Sequence, residues 1–289
     1  MPVLSAERFW DLLQRGRPVL SDSAMGTALI GQGISSIDVM RANLSHANAV
    51  RAIHQGNIDA GAELITSNTF GPRSGRDWLD EFRAGVDIAW QAASECDREI
   101  GIWLSMTSFV VTREVAALRT FLGSTHVRPL MILLETCTSL DEARQAASAA
   151  ASLQPDVLAV TGHFGADQKM TDGTTPEDFA ARLVTDGAQI TGANCGEQAG
   201  AFIEITRRMR SVVDVPLLVQ PSAGLPQLDS SGQWDYPMSA PEFAVLSARL
   251  ANSGANIVGG CCGTTPAHIA AAGAVLAQAT RAHQSLQDR

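Results

Sequence analysis

The chain contains no apolar run approaching the roughly 18–20 residues that a bilayer-spanning helix needs, so a transmembrane anchor is not expected. Positive charge is also in deficit, with 21 Lys and Arg against 30 Asp and Glu, a net charge of −9. A field of that sign repels phosphate backbones and anionic headgroups alike, which argues against nucleic acid and membrane surfaces as partners. Aromatic residues are sparse, and Tyr236 is the one tyrosine beside five tryptophans, which alone would have to furnish any aromatic cage for a cation. Cysteines number five, too few and odd for a disulfide framework in 289 residues. The first 18 residues carry Glu7, Arg8, Asp11 and Arg15 among their apolar positions and read as an amphipathic helix, not a secretory leader. A reducing compartment, the cytoplasm, is the expectation.

What the chain does have is a repeated order of apolar run, polar or glycine-containing turn, and helical stretch. Eight such runs occur, at 19–21, 62–66, 102–106, 130–134, 157–160, 190–193, 216–219 and 256–258. Near-continuous apolarity suits parallel strands buried on both faces. Between them stand helix-start signals: capping boxes at Ser139/Glu142 and Ser239/Glu242, and Thr175-Pro176 and Thr265-Pro266, a cap residue before proline. No linker or low-complexity segment interrupts the series, so residues 1–289 are expected to form one domain.

Eight units predict a single (β/α)8 barrel of TIM type, whose chemistry sits at the C-terminal ends of the strands. A doubly wound open sheet is the rival. The barrel is preferred because the distinctive residues follow many strands: Asp22 the first, Asn68 the second, Glu135 the fourth, Cys195 the sixth, and Cys261 with Cys262 the eighth.

The densest chemistry lies in Gly259-Gly260-Cys261-Cys262-Gly263-Thr264-Thr265-Pro266, joined by Asn194-Cys195 upstream. Three thiolates from two strand ends make a soft donor set that suits zinc and leaves a fourth position open. Neighbours in an extended strand point to opposite faces, so both vicinal cysteines reach one ion only if the chain turns there; Gly259, Gly260 and Gly263 are expected to supply the freedom. Buried structural thiols, or a vicinal disulfide, are the plainer alternatives. Cys96 and Cys137 lack such surroundings and are expected to be unliganded.

With Asp22-Ser23-Ala24-Met25-Gly26-Thr27, the stretch from Ala60 to Phe70, Leu133-Leu134-Glu135-Thr136 and Gln220-Pro221-Ser222-Ala223-Gly224, these motifs span residues 19–276. They resemble the homocysteine S-methyltransferase family, in particular the homocysteine-binding barrel of the cobalamin-dependent methionine synthase type. The resemblance implies zinc on Cys195, Cys261 and Cys262, with methyl transfer to homocysteine sulfur to give methionine. Three departures bear on the amino-acid pocket. Ser23 stands where the family has glycine, Ser222 where it has asparagine, and only the 18 residues 110–127 lie where relatives carry a longer insertion.

A free thiol ionises near pH 8.5, and coordination to zinc deprotonates it, leaving a thiolate able to attack an electrophilic methyl group. Glu135 is expected to take the substrate ammonium, with an internal salt bridge to Arg113 or Arg128 as the alternative. Asp22 and Ser23 either meet the same amino acid or cap a turn. Asn68, Thr69 and Phe70 are placed at the mouth, Phe70 equally as core, and Asn194 as a group orienting Cys195 or tying its loop. His163 reads more simply as a hydrogen-bonded histidine than as a base or fourth ligand, and His268 as structural. The 289 residues leave no room for a corrinoid- or folate-binding domain, so a methyl-corrinoid on a separate protein is an expected donor, partly on the wording of the 220–226 and 233–237 segments. A small sulfonium or ammonium compound is the alternative. A methyltransferase for a different thiol, a zinc- and thiol-binding component with little turnover, and a barrel lyase holding phosphate at Gly259-Gly260 are the remaining readings.

Overall fold

The structure is a computed structural model that describes residues 3–71, 78–125, 127–196, 198–228 and 234–287. Helix α1 (Ala6–Leu13) precedes β1 (Val19–Leu20), which is followed by α2 (Met25–Ile30), α3 (Ala42–Ser45) and α4 (Ala47–Asp59). Then come β2 (Leu64–Thr66), α5 (Trp78–Ser94), β3 (Gly101–Met106), α6 (Ser108–Arg113) and α7 (Val115–Ser124). The chain continues through β4 (Met131–Cys137), α8 (Leu140–Ala151), β5 (Val157–Gly162), α9 (Pro176–Thr185), β6 (Ile190–Cys195) and α10 (Ala201–Arg210). Strand β7 (Leu217–Pro221) leads to a small hairpin of β8 (Gln227–Leu228) and β9 (Trp234–Asp235), then α11 (Ala240–Asn252), β10 (Ile257–Val258) and α12 (Pro266–Gln287).

Eight strands form one parallel sheet in the order β1-β10-β7-β6-β5-β4-β3-β2. A parallel bridge between Ser21 and Leu64 joins its two ends, so the sheet closes as the expected (β/α)8 barrel. The eight apolar runs all become barrel strands. The hairpin of β8 and β9 was not foreseen, because its strands are two residues each and fully exposed.

Strand periodicity explains what fills the barrel. Val19, Leu64, Trp103, Met131, Leu133, Val157, Ala159, Ile190, Leu218 and Ile257 form one inner apolar cluster with Phe9 and Leu12 of α1. The Phe9 ring meets Trp103 edge-on at 5.6 Å, so α1 plugs the N-terminal end. Stepping two residues along the same strands, four on β6, reaches Ser21, Thr66, Ser105, Glu135, Thr161, Asn194 and Gln220. The lining thus turns from apolar to polar at the C-terminal end. The alternate residues, such as Leu104, Ile132, Leu158, Val160, Leu217 and Val258, pack outward beneath the helices.

Helix starts follow the caps read from sequence. Ser139 accepts from the Glu142 amide at 3.3 Å and Thr175 from the Asp178 amide at 3.2 Å. At Ser239 the reciprocal box with Glu242 is complete. Glu142 departs from the expected box, since its carboxylate takes the Thr138 amide and hydroxyl and the Ser108 hydroxyl instead. The short 110–127 segment supplies α7 and the end of α6.

The seam between β1 and β2 is thin and leans on side chains. The Glu63 amide donates to the Leu20 carbonyl at 2.7 Å, and the Glu63 carboxylate accepts from the Leu20 amide at 3.2 Å. Arg17 grips that carboxylate with two nitrogens at 2.8 and 2.7 Å. Glu63→Ala strips the seam of its acceptor and leaves Arg17 unpaired. It should lower the unfolding free energy by roughly 2–3 kcal/mol, measured by urea titration, with Glu63→Gln intermediate.

Candidate functional site

Cys195 ends β6 in the left-handed region at φ 65°, which no regular strand uses, so its side chain swings off the strand's alternation. Cys261 and Cys262 follow β10 in a turn anchored on both sides. The Gly260 amide donates to the Asp22 carbonyl at 2.9 Å, the Cys261 amide to the Pro221 carbonyl at 2.9 Å, and the Ala223 amide to the Cys262 carbonyl at 2.8 Å. Of the three glycines, only Gly263 needs a positive φ, at 78°. Gly259 and Gly260 serve close approach instead: a Cβ would come within 2.8 Å of Ser21 Cβ and 2.3 Å of Thr264 Oγ1, respectively.

The three sulfurs lie within 4.8 Å of one another, the one metal-competent cluster of its kind among the described residues. Cys195 and Cys262 are 3.9 Å apart, and Cys261 and Cys262 4.0 Å. Tetrahedral zinc with Zn–S bonds of about 2.3 Å sets sulfurs about 3.8 Å apart, so the donor set fits zinc. The cysteines are reduced, and no vicinal disulfide forms. Without a cation the three thiols cannot all ionise together. Hydrogen bonds from Cys261 and Cys262 hold the Cys195 sulfhydryl far below the usual thiol range, and the donor Cys261 is pushed up in return.

Further groups surround the sulfurs. Ser222, in the place of the family's asparagine, donates to Cys195 Sγ at 3.8 Å. His163 follows β5, and its Nδ1 accepts from the Gly196 amide next to Cys195 at 3.3 Å. The Tyr236 ring lies against Gly263, next to Cys262; burial and the adjacent sulfurs raise its pKa, so its hydroxyl stays protonated. Tyr236 carried no sequence signal beyond being the single tyrosine, because the hairpin that delivers it is not legible as strands.

A cavity of about 240 Å³ opens beside the sulfurs, lined among others by Asp22, Thr66, Ser105, Glu135, Gln220 and the three cysteines. Asp22 is buried and Glu135 partly buried. Burial lifts Asp22 to about 6, against hydrogen bonds from the Thr66 amide at 2.6 Å, the Thr66 hydroxyl at 2.9 Å and the Ser21 hydroxyl at 3.3 Å. Burial lifts Glu135 to about 7, helped by the charges on Asp22 and Cys195 and opposed by the Ser105 hydroxyl. No arginine or lysine pairs with either among the described residues. The salt bridges considered for Glu135 do not form: Arg113 lies over the Phe109 ring at 4.5 Å, and Arg128 donates to the Val127 carbonyl at 2.8 Å. Two such carboxylates without a counter-ion form a site that lacks a cation.

Asn194 does not face the cavity and does not hold Cys195. Its Oδ1 accepts from the Thr136 amide at 2.8 Å and the Thr161 hydroxyl at 2.7 Å; its Nδ2 donates to Thr136 Oγ1 at 2.7 Å and Glu135 Oε2 at 3.3 Å. Thr136 sits at φ 60°, costly for a β-branched residue, where the β4–β5 register shifts. Asn194 therefore stabilises the bulge that turns Glu135 inward. Thr69 also points away, bonded to the Ser105 carbonyl at 2.8 Å and the Ser67 hydroxyl at 2.6 Å, and lines no cavity. Ser23 lines the cavity, yet its amide and hydroxyl both donate to Asn57 Oδ1, at 2.9 and 2.8 Å. Asn68 lines the cavity while donating to the Val39 carbonyl at 2.7 Å and Asn43 Oδ1 at 2.9 Å. Phe70 is 42% exposed at the mouth and is not core. His268 bridges Thr265 and the Met238 carbonyl, as a structural residue should. Cys96 and Cys137 stand outside the cluster.

A wider recess of about 600 Å³ adjoins the cavity and shares Phe70, Glu135 and Cys262 with it; Ile30, Ile37 and Phe109 form part of its rim. No tryptophan lines either space. Gln233, at the start of the 233–237 segment, lies outside the described residues.

A parallel barrel carrying three cysteines and two unpaired carboxylates at the C-terminal ends of its strands defines a class of metal-competent barrel with an amino-acid-sized pocket. The homocysteine S-methyltransferase family pattern matches residues 19–276, and the chain belongs to that family. Methionine synthase of Mycobacterium tuberculosis is 29% identical over 92% of this chain, which spans 25% of that protein. S-methylmethionine--homocysteine S-methyltransferase BHMT2 of Pongo abelii is 27% identical, over 90% of this chain and 78% of that one. Among solved structures, the apo homocysteine methyltransferase MmuM of Escherichia coli superposes with a TM-score of 0.72 at 20% identity, covering 91% of this chain and 98% of that one. No helix among the described residues is long and apolar enough to cross a membrane.

The ionised form of Glu135 burdens the folded state above its raised pKa near 7, whereas below about 4.5 the unfolded chain is protonated too and the burden vanishes. Glu135→Gln should therefore raise Tm at pH 8 by several degrees and leave it unchanged at pH 4, read by differential scanning calorimetry.

Proposed function

We propose that this chain is a zinc-dependent S-methyltransferase that methylates homocysteine to methionine. The supporting observation is the juxtaposition in one cavity of three sulfurs at zinc spacing and two carboxylates with no counter-ion. Cys195, Cys261 and Cys262 would hold the ion. Zinc on three thiolates supplies the Lewis acidity that keeps an incoming thiol ionised at neutral pH.

The protein's own groups do the rest. Glu135 and Asp22 receive the substrate ammonium, which relieves their burial cost and orients the amino acid with its sulfur toward the cysteines. Ser105, Thr66 and Asn194 hold the two carboxylates against rotation. Phe70 and Ile30 give the mouth an apolar edge, limiting water around a thiolate nucleophile. The new S–CH3 bond forms as the donor–CH3 bond breaks, and the thiol proton leaves to solvent when the substrate binds.

A methyl-corrinoid on a separate protein is the donor we favour. Methionine synthases are among the relatives that the chain matches. The wide recess opens directly on the site, and the described residues form no aromatic cage for a sulfonium or ammonium there: the Phe109 face is covered by Arg113, and Trp10 and Trp103 sit at the opposite end of the barrel.

Cys261→Ala and Cys262→Ala should each lose most of the bound zinc by metal analysis and at least 100-fold in activity with homocysteine, while Cys96→Ala retains both. Substituting a thiol that lacks the amino group should raise KM far more for the wild type than for Glu135→Ala; equal KM values in the wild type would remove Glu135 from substrate binding. Methylcobalamin-loaded donor protein should outperform S-methylmethionine in methionine formation.

A further inference from the structure

We propose that Gln220 is a third binding group for the substrate amine, its side-chain oxygen accepting from the ammonium alongside Asp22 and Glu135. This inference rests on the homocysteine reading above and adds to it a residue that the hydrogen bonds of the empty site leave unused.

The strand places it. Leu218 of β7 packs in the inner apolar cluster, so Gln220, two residues on, faces the same interior at the polar end of the barrel. It is 5% exposed and lines the cavity beside the cysteines. Between β7 and β1 lies β10, only two residues long, and it gives way to Gly259. A Cβ at Gly259 would stand 2.8 Å from Ser21 Cβ, 3.1 Å from the Asp22 carbonyl oxygen and 3.2 Å from Gln220 Nε2. The Gln220 amide and the Asp22 backbone therefore border one gap, which the glycine keeps open.

Within that wall Gln220 Oε1 is buried and accepts from none of the described residues. Six buried side-chain nitrogens and oxygens lack a partner among the described residues, two on His54 and one each on Trp103, Glu177, Thr191 and Gln220. Of these five residues only Gln220 lines the cavity. The two carboxylates are in a different condition. Asp22 Oδ1 accepts from the Ser21 and Thr66 hydroxyls and Oδ2 from the Thr66 amide, while Glu135 accepts from Ser105 and Asn194. The amide oxygen keeps both lone pairs unused, and a buried acceptor left so bears its full desolvation penalty.

The substrate's chemistry selects the partner. Of the ammonium, carboxylate and thiolate of bound homocysteine, only the ammonium donates hydrogen bonds. It carries three N–H groups, and Asp22, Glu135 and Gln220 supply one acceptor side chain for each. The carboxylates bring the charge; a neutral amide takes the third N–H without placing another negative group in the cavity. A thiol that lacks the amine leaves Gln220 unpaired.

The test measures binding to the zinc-loaded protein by titration calorimetry, with homocysteine and with 4-mercaptobutanoate, the same thiol acid without its amine. Gln220→Met keeps a side chain of similar length and deletes the acceptor. It should raise the homocysteine dissociation constant about 10–100-fold, and that of 4-mercaptobutanoate by less than about twofold. Gln220→Glu retains an acceptor and should bind homocysteine more tightly than Gln220→Met does. Equal losses for both thiols in Gln220→Met, unchanged homocysteine binding in that variant, or a Gln220→Glu protein no tighter than it each overturn the inference and leave Asp22 and Glu135 as the amine site. A wild-type protein that binds the two thiols equally well sinks that amine site, and this inference with it.

Discussion

Three cysteine sulfurs that all lie within 4.8 Å of one another are the constraint around which the rest of this molecule is arranged. Such a cluster is electrostatically unsatisfied on its own: one sulfur gains proton-donor neighbours and ionises easily, and another is driven the opposite way. The backbone keeps them together nonetheless. A left-handed residue ends β6, a tight turn follows β10, and amides tie that turn to the strands on both sides. Local geometry that keeps three thiols this close makes a cluster that could hold a metal ion.

The same logic runs through the amino-acid pocket. Asp22 is buried and Glu135 partly buried at the polar end of an otherwise apolar barrel, where ionised carboxylates are costly. Hydroxyls and amides orient them, but no cation neutralises them within the described structure. The cost that these carboxylates place on the folded barrel is one that a neighbouring ammonium group would relieve. Asn194 links the two halves: it neighbours the ligand Cys195 in sequence, yet its side chain braces the strained Thr136 and the Glu135 carboxylate on β4. Cys195 and Glu135 are thereby set on two strands of one sheet, β6 and β4 on either side of β5, and not on independent loops.

The departures from the family pattern are absorbed differently. Ser23 turns its hydroxyl back onto Asn57, so the added side chain is tied down at the cavity wall. Ser222 donates to the Cys195 sulfur, a weak contact at 3.8 Å where the family carries a longer amide. The shortened 110–127 segment folds as compact helical turns, leaving the recess above Phe70 and Phe109 wide. A broad approach beside a small polar pocket suits a methyl donor presented by a second protein.

Much of this was written in the sequence by itself. Near-continuous apolar runs separated by capped helices determine eight buried parallel strands, because hydrophobic periodicity and capping are local properties of the chain. The cysteine trio and the acidic residues at strand ends were legible for the same reason, as short motifs beside those runs. The tertiary structure decided which way each side chain faces. Thr69 turned under Ser105, Asn194 braced a bulge instead of Cys195, and Gly259 and Gly260 made room for neighbours instead of providing a twist. Tyr236 came against Gly263, next to Cys262, from a strap with no strand signature. Those outcomes depend on register shifts, positive-φ residues and contacts between segments far apart in the chain, and a linear pattern does not encode such distances.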